Sequence, residues 1–303
     1  VVEGSESYMV GKRSNGNIIF TVINTIMMIL LIIICLYPML YVLFASVSEP
    51  AQLLQFEGIL YKPMGFTLKG YEMVLSNPQI LKGYENTLFY VFFGTTVNLL
   101  MTSVAAYTMS RKNLLFGKPI MILIVFTMYF SGGMIPEFLL VDQLGLLDSR
   151  LALILPGAIS VYNMIVMRTS FLEIPSSIEE SARIDGANDW TILVRIILPL
   201  SKAVLAVMAL FYGVGHWNSW FGAMIYLRDR DKYPLQLILR EILLMNASDN
   251  MTSESGIGRG DISAYKILVQ YSTIVVATVP ILCIYPFIQK HFTKGVMIGA
   301  VKG

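Results

Sequence analysis

The sequence predicts an all-α, polytopic membrane protein with six transmembrane helices. Three observations carry that expectation. Hydrophobic residues make up 55% of the 303 and charged residues only 14%, against about 25% charged in an ordinary soluble chain. Mean hydropathy is +0.66, so the bilayer is the solvent to reason with. Apolar runs of about 20 residues, the length that crosses a bilayer, recur six times.

The runs fall at 18–45, 88–109, 119–135, 151–171, 200–227 and 267–288. A polar segment, 1–17, precedes the first. That first run exceeds the ~7–15 residues of a secretory h-region, so it reads as a retained span. In the third, Ser131-Gly132-Gly133 and Pro136 interrupt the apolar pattern near one end, which predicts a bent or re-entrant continuation. The domain layout is then a terminal segment 1–17, a membrane domain 18–289 and a tail 290–303.

An even number of crossings puts both termini on one side. Arg111, Lys112 and Lys118 crowd one short connection, and the next carries only Arg150. Arg183 and Arg195 lie in the connection after that, with Lys290, Lys294 and Lys302 in the tail. The positive-inside rule therefore places both termini in the cytoplasm. The loop 228–266 is basic yet assigned outside, because long loops weigh little under that rule. A second long outer loop spans 46–86.

Composition also excludes functions. The net charge is +2 and the basic residues are scattered, which removes the basic face that nucleic acid requires. Cys35 and Cys283 lie in apolar runs and read as packing residues. His216 and His291 are far apart, and no HExxH or CxxC spacing occurs, so no metal site and no catalytic residue are expected. Nor does the sequence contain a G-x-x-x-x-G-K-[ST] phosphate loop.

The informative connection joins the fourth and fifth spans. Pro175 ends what precedes it. Ser177 with Glu180, or Ser176 with Glu179, matches a capping box. Gly186 is a C-terminal stop, and Asn188 or Asp189 can cap a second helix running to Ile197, with Pro199 separating it from the fifth span. Ile178, Ala182 and Arg183 share one side. Small residues at Ser181, Ala182 and Ala187 would let a partner backbone approach. The same pattern suits a plain amphipathic connector at the membrane surface.

The stretch Glu180-Ser181-Ala182, then Gly186, then Ile196-Ile197-Leu198-Pro199 resembles the cytoplasmic motif of permeases of type I ATP-binding-cassette (ABC) importers, with its full spacing. Ser181 replaces that motif's first alanine. Asp185-Gly186-Ala187, Arg228-Asp229 and the tail Gly299-Ala300-Val301-Lys302-Gly303 are similar to the sugar and oligosaccharide subgroup, near the second maltose-type permease. The resemblance implies a short coupling helix, about 176–187, that docks on a separate ATPase through Glu179, Glu180, Ser181, Ala182, Asp185, Gly186 and Ala187. It implies a bacterial plasma-membrane location, a second permease forming a heterodimer, two ATPase subunits that bind the ATP and Mg, and an extracellular solute-binding protein that delivers sugar. The chain itself would carry no cofactor and no enzymatic activity.

Polar groups inside spans are candidates for the translocation path. These are Asn98, Asn163, His216, Trp217, Asn218 and Trp220. Aromatic faces and amides suit sugar rings, while an aromatic belt or helix packing would also explain them. Arg168, near a span end, reads as snorkelling. The competing readings are an ABC permease for a peptide or polyamine, a secondary transporter and an intramembrane enzyme. A secondary transporter would show inverted repeats and mid-membrane ionisable groups, and an enzyme would show a nucleophile with its base.

Overall fold

The computed structural model describes residues 15–111, 114–244 and 265–283, and these are helical and irregular with no strand among them. The tail 290–303, most of the segment 1–17 and the loop 245–264 lie outside the described residues, with the expectations that fall on them.

Helix α1, Asn15–Ser46, runs 32 residues, about 48 Å at 1.5 Å per residue. Its side chains from Ile18 to Leu36 are exposed on every face, as expected of a helix solvated by lipid or by another subunit. Cys35 is exposed there, as is Cys283 on the last helix. Neither packs inside this chain, contrary to the packing role expected of them, because both stand on faces that the fold turns outward.

Helices α2 (Pro50–Gln55) and α3 (Lys69–Ser76) occupy the first long loop. Helix α4, Pro78–Ser110, is 33 residues long. Asn77 starts it by accepting from the Gln79 N–H at 2.8 Å, with Pro78 at the first helical position. It begins ten residues before the predicted span. Its polar first turns pair Lys82 with Glu85 at 2.9 Å and pack Ile80 into a buried cluster with Leu235 and Ile238. A π-turn interrupts it at Tyr90–Gly94.

Helices α5 (Gly117–Tyr129) and α6 (Met134–Gln143) meet at 111°. The break falls at Ser131-Gly132-Gly133, as the sequence predicts. The fourth span departs from expectation. Instead of one helix over 151–171, a 3-10 turn, Arg150–Leu153, is followed by irregular chain, and helix α7 spans only Val161–Leu172. Its 12 residues reach about 18 Å, short of the ~30 Å hydrocarbon core. Pro156 and Gly157 stop a longer helix, and Ser160 caps the new start by accepting from the Asn163 N–H.

Helices α8 (Ser176–Ile184) and α9 (Asp189–Leu200) form the connection, and α10 (Lys202–Trp217) meets α9 at 87°. Pro199 does not divide these two helices. A π-turn at Leu193–Ile197 absorbs its missing donor, the Leu198 N–H reaching back to Leu193 O, and the bend falls at Ser201. The fifth span also divides. Helix α10 ends at Trp217, and α11 (Phe221–Tyr226) resumes after Asn218-Ser219. After a 3-10 turn at Arg230–Lys232, α12 (Leu235–Leu244) and α13 (Tyr265–Cys283) follow. Among the described residues, three helices are long and apolar enough to cross a membrane, or five if each bent pair is one span. The expected count of six transmembrane helices is not confirmed among the described residues.

The two largest buried clusters position the sites. At one end α4, α7, α9 and α10 bury Ala106, Met164, Met167, Phe171, Ile192 and Met208. At the other, α3, α4, α10, α12 and α13 bury Val74, Ile80, Trp217, Leu235, Ile242 and Val269.

Candidate functional sites: a protruding helix pair and a polar centre

The connection between α7 and α10 projects from the first core. Pro175 occupies the N-cap of α8 and has no side chain to donate or accept there. Ser176 and Ser177 fall inside the first turn, so neither predicted capping box forms. The C-terminus matches its prediction. Gly186 has φ +83°, a left-handed conformation that glycine tolerates best. Its N–H bonds Arg183 O at 3.1 Å, and the Ala187 N–H bonds Ala182 O at 2.9 Å, the paired bonds of a Schellman stop. Asn188 then caps α9, accepting from the Thr191 N–H at 2.8 Å.

The seven residues predicted to couple divide into two sets. Glu180, Ser181, Asp185 and Gly186 are exposed. Ala182 and Ala187 are half-buried against the core. Glu179 turns inward and is held by Arg111, the C-cap residue of α4, and by Arg183 at 3.1 Å. Arg183 also pairs with Asp189, which accepts from the Tyr107 hydroxyl at 3.3 Å. The Arg111 guanidinium stacks over the Tyr107 ring at 4.4 Å and donates to Ser110 Oγ at 2.8 Å. This rack of charges fastens α8 and α9 to the end of α4. Beside it opens a cleft of about 910 Å³ lined by Tyr107, Arg111, Glu180 and Trp190. Arg168 belongs to the same end, donating from Nε to Met109 O at 2.7 Å, where an unpaired helix-end carbonyl attracts a cation.

Sequence reasoning missed two exposed apolar groups on this projection, Ile184 at 86% and Trp190 at 62% exposure. Large apolar side chains exposed on a protruding element are candidates for contact with another protein or with the membrane surface. The available signal was their position beside Gly186, outside any apolar stripe.

The polar centre lies between α4, α7 and α10. Asn98 is buried. Its amide nitrogen donates to Gly157 O at 2.7 Å and Ala158 O at 3.1 Å. Its oxygen must then accept, and it does so from His216 Nε2 at 2.7 Å. The broken fourth span thus finds in Asn98 the donor that its unwound carbonyls need at membrane depth. Gly94 brings α4 close enough that any Cβ there would collide with the His216 ring. The Tyr212 hydroxyl joins Thr102 Oγ1 at 2.7 Å and accepts from the Ser160 N–H at 3.1 Å. Asn163 is buried nearby.

The path candidates His216, Trp217, Asn218 and Trp220 do not share one surface. Trp217 is core, edge-on to Tyr84. Asn218 and Trp220 instead line a separate cleft of about 450 Å³ with Gln236 and Arg240. Among the described residues no group of three or more side chains could hold a metal ion.

A third polar array fixes the loop after α11. Asp148 accepts from the backbone N–H groups of Arg228 and Asp229 at 3.1 and 3.0 Å. Lys232 Nζ lies 3.2 Å from its carboxylate. The two backbone donors, then Lys232, hold the Asp148 carboxyl below its usual range. The same contact, chiefly the hydrogen bond to Asp148, raises Lys232. Arg150 donates to Asn86 Oδ1 at 2.8 Å, and the Asn86 amide donates to Asp231 O and Tyr233 O. These bonds tie the loop to α4.

No protein-family model matches the chain. It is 44% identical over 272 residues to the polygalacturonan/rhamnogalacturonan transport system permease protein YtcP of Bacillus subtilis, covering 89% of this chain and 94% of that one. It is 41% identical to protein LplC of the same organism over 89% of this chain and 90% of that one. The arabinooligosaccharides permease AraQ of Bacillus subtilis is 26% identical over 94% of this chain and 97% of its own length. Among solved structures, a chain of a bacterial ABC transporter involved in import of the acidic polysaccharide alginate superposes with a TM-score of 0.86 at 32% identity, covering 93% of this chain and 99% of that one. With the apolar helices and their packing, these likenesses make the chain a multi-pass membrane protein that belongs to the permease family of ABC transport systems for sugars and oligosaccharides.

Proposed function

We propose that the chain is one of two pore-forming permeases of an importer, paired with a second, different permease and driven by two separate ATPase subunits that bind the ATP and Mg. An extracellular binding protein delivers the cargo, an oligosaccharide. Relatives named for polygalacturonan, rhamnogalacturonan and alginate favour an acidic one. Both termini lie in the cytoplasm. The observation that carries the reading is the α8–α9 projection. It presents Glu180, Ser181, Asp185 and Gly186 outward at its tip while Glu179 fastens its base to α4.

In this reading the projection acts as a lever. Glu180 offers a charge-assisted hydrogen bond to a basic residue of the ATPase, and Ile184 and Trp190 offer apolar contact. Closure of the ATPase pair displaces α8. The Arg111–Glu179 pair passes that displacement to α4, whose nearer half carries Asn98, the partner of His216 on α10. The chain supplies no phosphate loop of its own, so the chemical work lies on the partner.

The test is co-purification from membranes. The tagged wild-type chain should bring an ATPase with it. Glu180→Lys should lose the ATPase while keeping the thermal stability of the wild-type chain, because Glu180 is exposed. An ATPase that stays bound to Glu180→Lys and remains stimulated by substrate would refute the role of this projection. Uptake by the chain alone, driven by a proton gradient, would refute the importer reading as a whole.

A further inference from the structure

We propose that the cleft between the α10–α11 break, α12 and α13 is a carboxylate-recognising subsite for an acidic sugar residue, with Arg240 as its charge and Trp220 as its platform. The proposal rests on the importer reading above and adds where, on this chain, an acidic cargo is read.

The cleft measures about 450 Å³ and is lined by Asn218, Trp220, Gln236, Arg240, Leu243 and Thr278, within the ~300–1,000 Å³ of small-molecule sites. The Arg240 guanidinium lies 3.7 Å from the centre of the Trp220 ring. Stacking of this kind fixes the plane of the fork and leaves its N–H edge to engage an oxyanion bidentately. Arg240 is half-buried. Its treatment differs from that of nearby Arg230, which meets the Glu241 carboxylate; among the described residues no carboxylate pairs with Arg240. The adjacent Glu241 points away, toward Arg230. A partly desolvated cation without its anion is costly, and an incoming carboxylate would remove that cost. Asn218 and Gln236 supply amides suited to sugar hydroxyls, and Trp220 supplies an indole against which the C–H face of a pyranose can rest.

The anion could also be a lipid headgroup, so the test separates the two sources. The complete transporter, with its binding protein, is reconstituted in phosphatidylcholine alone, which contains no anionic lipid. Uptake is measured for trigalacturonate and for its methyl ester, the same skeleton without charge. The binding protein is identical throughout, so a change in the acid-to-ester ratio between variants reports on the permease. Arg240→Gln should lower that ratio about tenfold, the order expected of one charge-assisted hydrogen bond. Gln236→Glu should lower it too, because a glutamate four residues before Arg240 on the same helix captures the guanidinium, and it preserves side-chain size. An unchanged ratio in both variants, or equal losses for acid and ester, overturns the subsite. Wild-type uptake of a neutral oligosaccharide without trigalacturonate also overturns it and leaves the importer reading standing. Absence of any carbohydrate uptake sinks that reading as well.

Discussion

Removing the Arg111–Glu179 pair should loosen the projection from α4, and the size of the effect follows from burial. The two side chains are 20% and 17% exposed, so the pair lies between two regimes. An exposed ion pair contributes about 0–1 kcal/mol, and orphaning one partner of a buried pair costs about 3–5 kcal/mol. Arg111 keeps its bond to Ser110 and its stack on Tyr107 when Glu179 is lost, which places Glu179→Gln near the middle, at about 2 kcal/mol. For a chain of this size that is a fall of about 4 °C in the unfolding midpoint. The assay is thermal unfolding of the purified permease in nanodiscs at one fixed scan rate, for Arg111→Gln, Glu179→Gln and the double variant. The double variant should unfold close to the weaker single, because the second change removes nothing that the first has left intact. Arg183→Gln should cost less, since Arg183 is 47% exposed. Additive single effects would mean that the two residues act independently, and the lever argument would lose its base.

Three further outcomes are expected. Gly186→Ala forces an L side chain to φ +83°, a strain of about 1–2 kcal/mol confined to the tip; substrate-driven ATPase activity should fall while the membrane-embedded fold persists, and undiminished activity would argue against a defined tip geometry. Asn98→Leu leaves the carbonyls of Gly157 and Ala158 and the His216 ring without their shared partner, at about 1–3 kcal/mol per orphaned group; a thermal midpoint equal to wild type would contradict the polar-centre account. The Asp148 array should depend on pH at both extremes. The Asp148 pKa is lowered in the fold, so its contribution is present above the ordinary carboxylate value and is lost as pH falls through the lowered one. That of Lys232 is raised, so its contribution holds below the ordinary lysine value and is lost as pH rises through the raised one. Pepsin cleavage near 228–234 should therefore rise in strong acid for wild type and be high already near pH 4 for Asp148→Asn; identical profiles would dismiss the array.

Much of this protein could be read from local chemistry. Apolar run length announced α1, α4 and α13, because a span must satisfy its own backbone and expose apolar side chains, and both are properties of consecutive residues. Ser131-Gly132-Gly133 announced the α5–α6 bend, and Gly186 and Asn188 announced the stop and restart of the projection, each acting within a few residues. The motif around Glu180, Gly186 and Pro199 pointed to the family that the relatives then established.

What failed in the sequence reading failed for non-local reasons. Hydropathy counted 151–171 as a span because its side chains are apolar. Pro156 and Gly157 break the helix locally, but the unwound carbonyls are satisfied only by Asn98, more than fifty positions away, which donates to Gly157 and Ala158. Glu179 and Glu180 are neighbours with the same chemistry. Only the placement of Arg111 at the end of α4 turned one inward and left the other at the surface. Trp217 and Trp220 look alike in the sequence too. The break at Asn218-Ser219 sends one to the core and the other to a cleft facing Arg240. Composition and spacing determined that the chain lives in a membrane and which family it joins, since solvent preference and short motifs are written residue by residue. The partner of each polar group was decided by tertiary packing, because a buried hydrogen bond joins whichever groups the fold brings within about 3 Å, regardless of their separation along the chain.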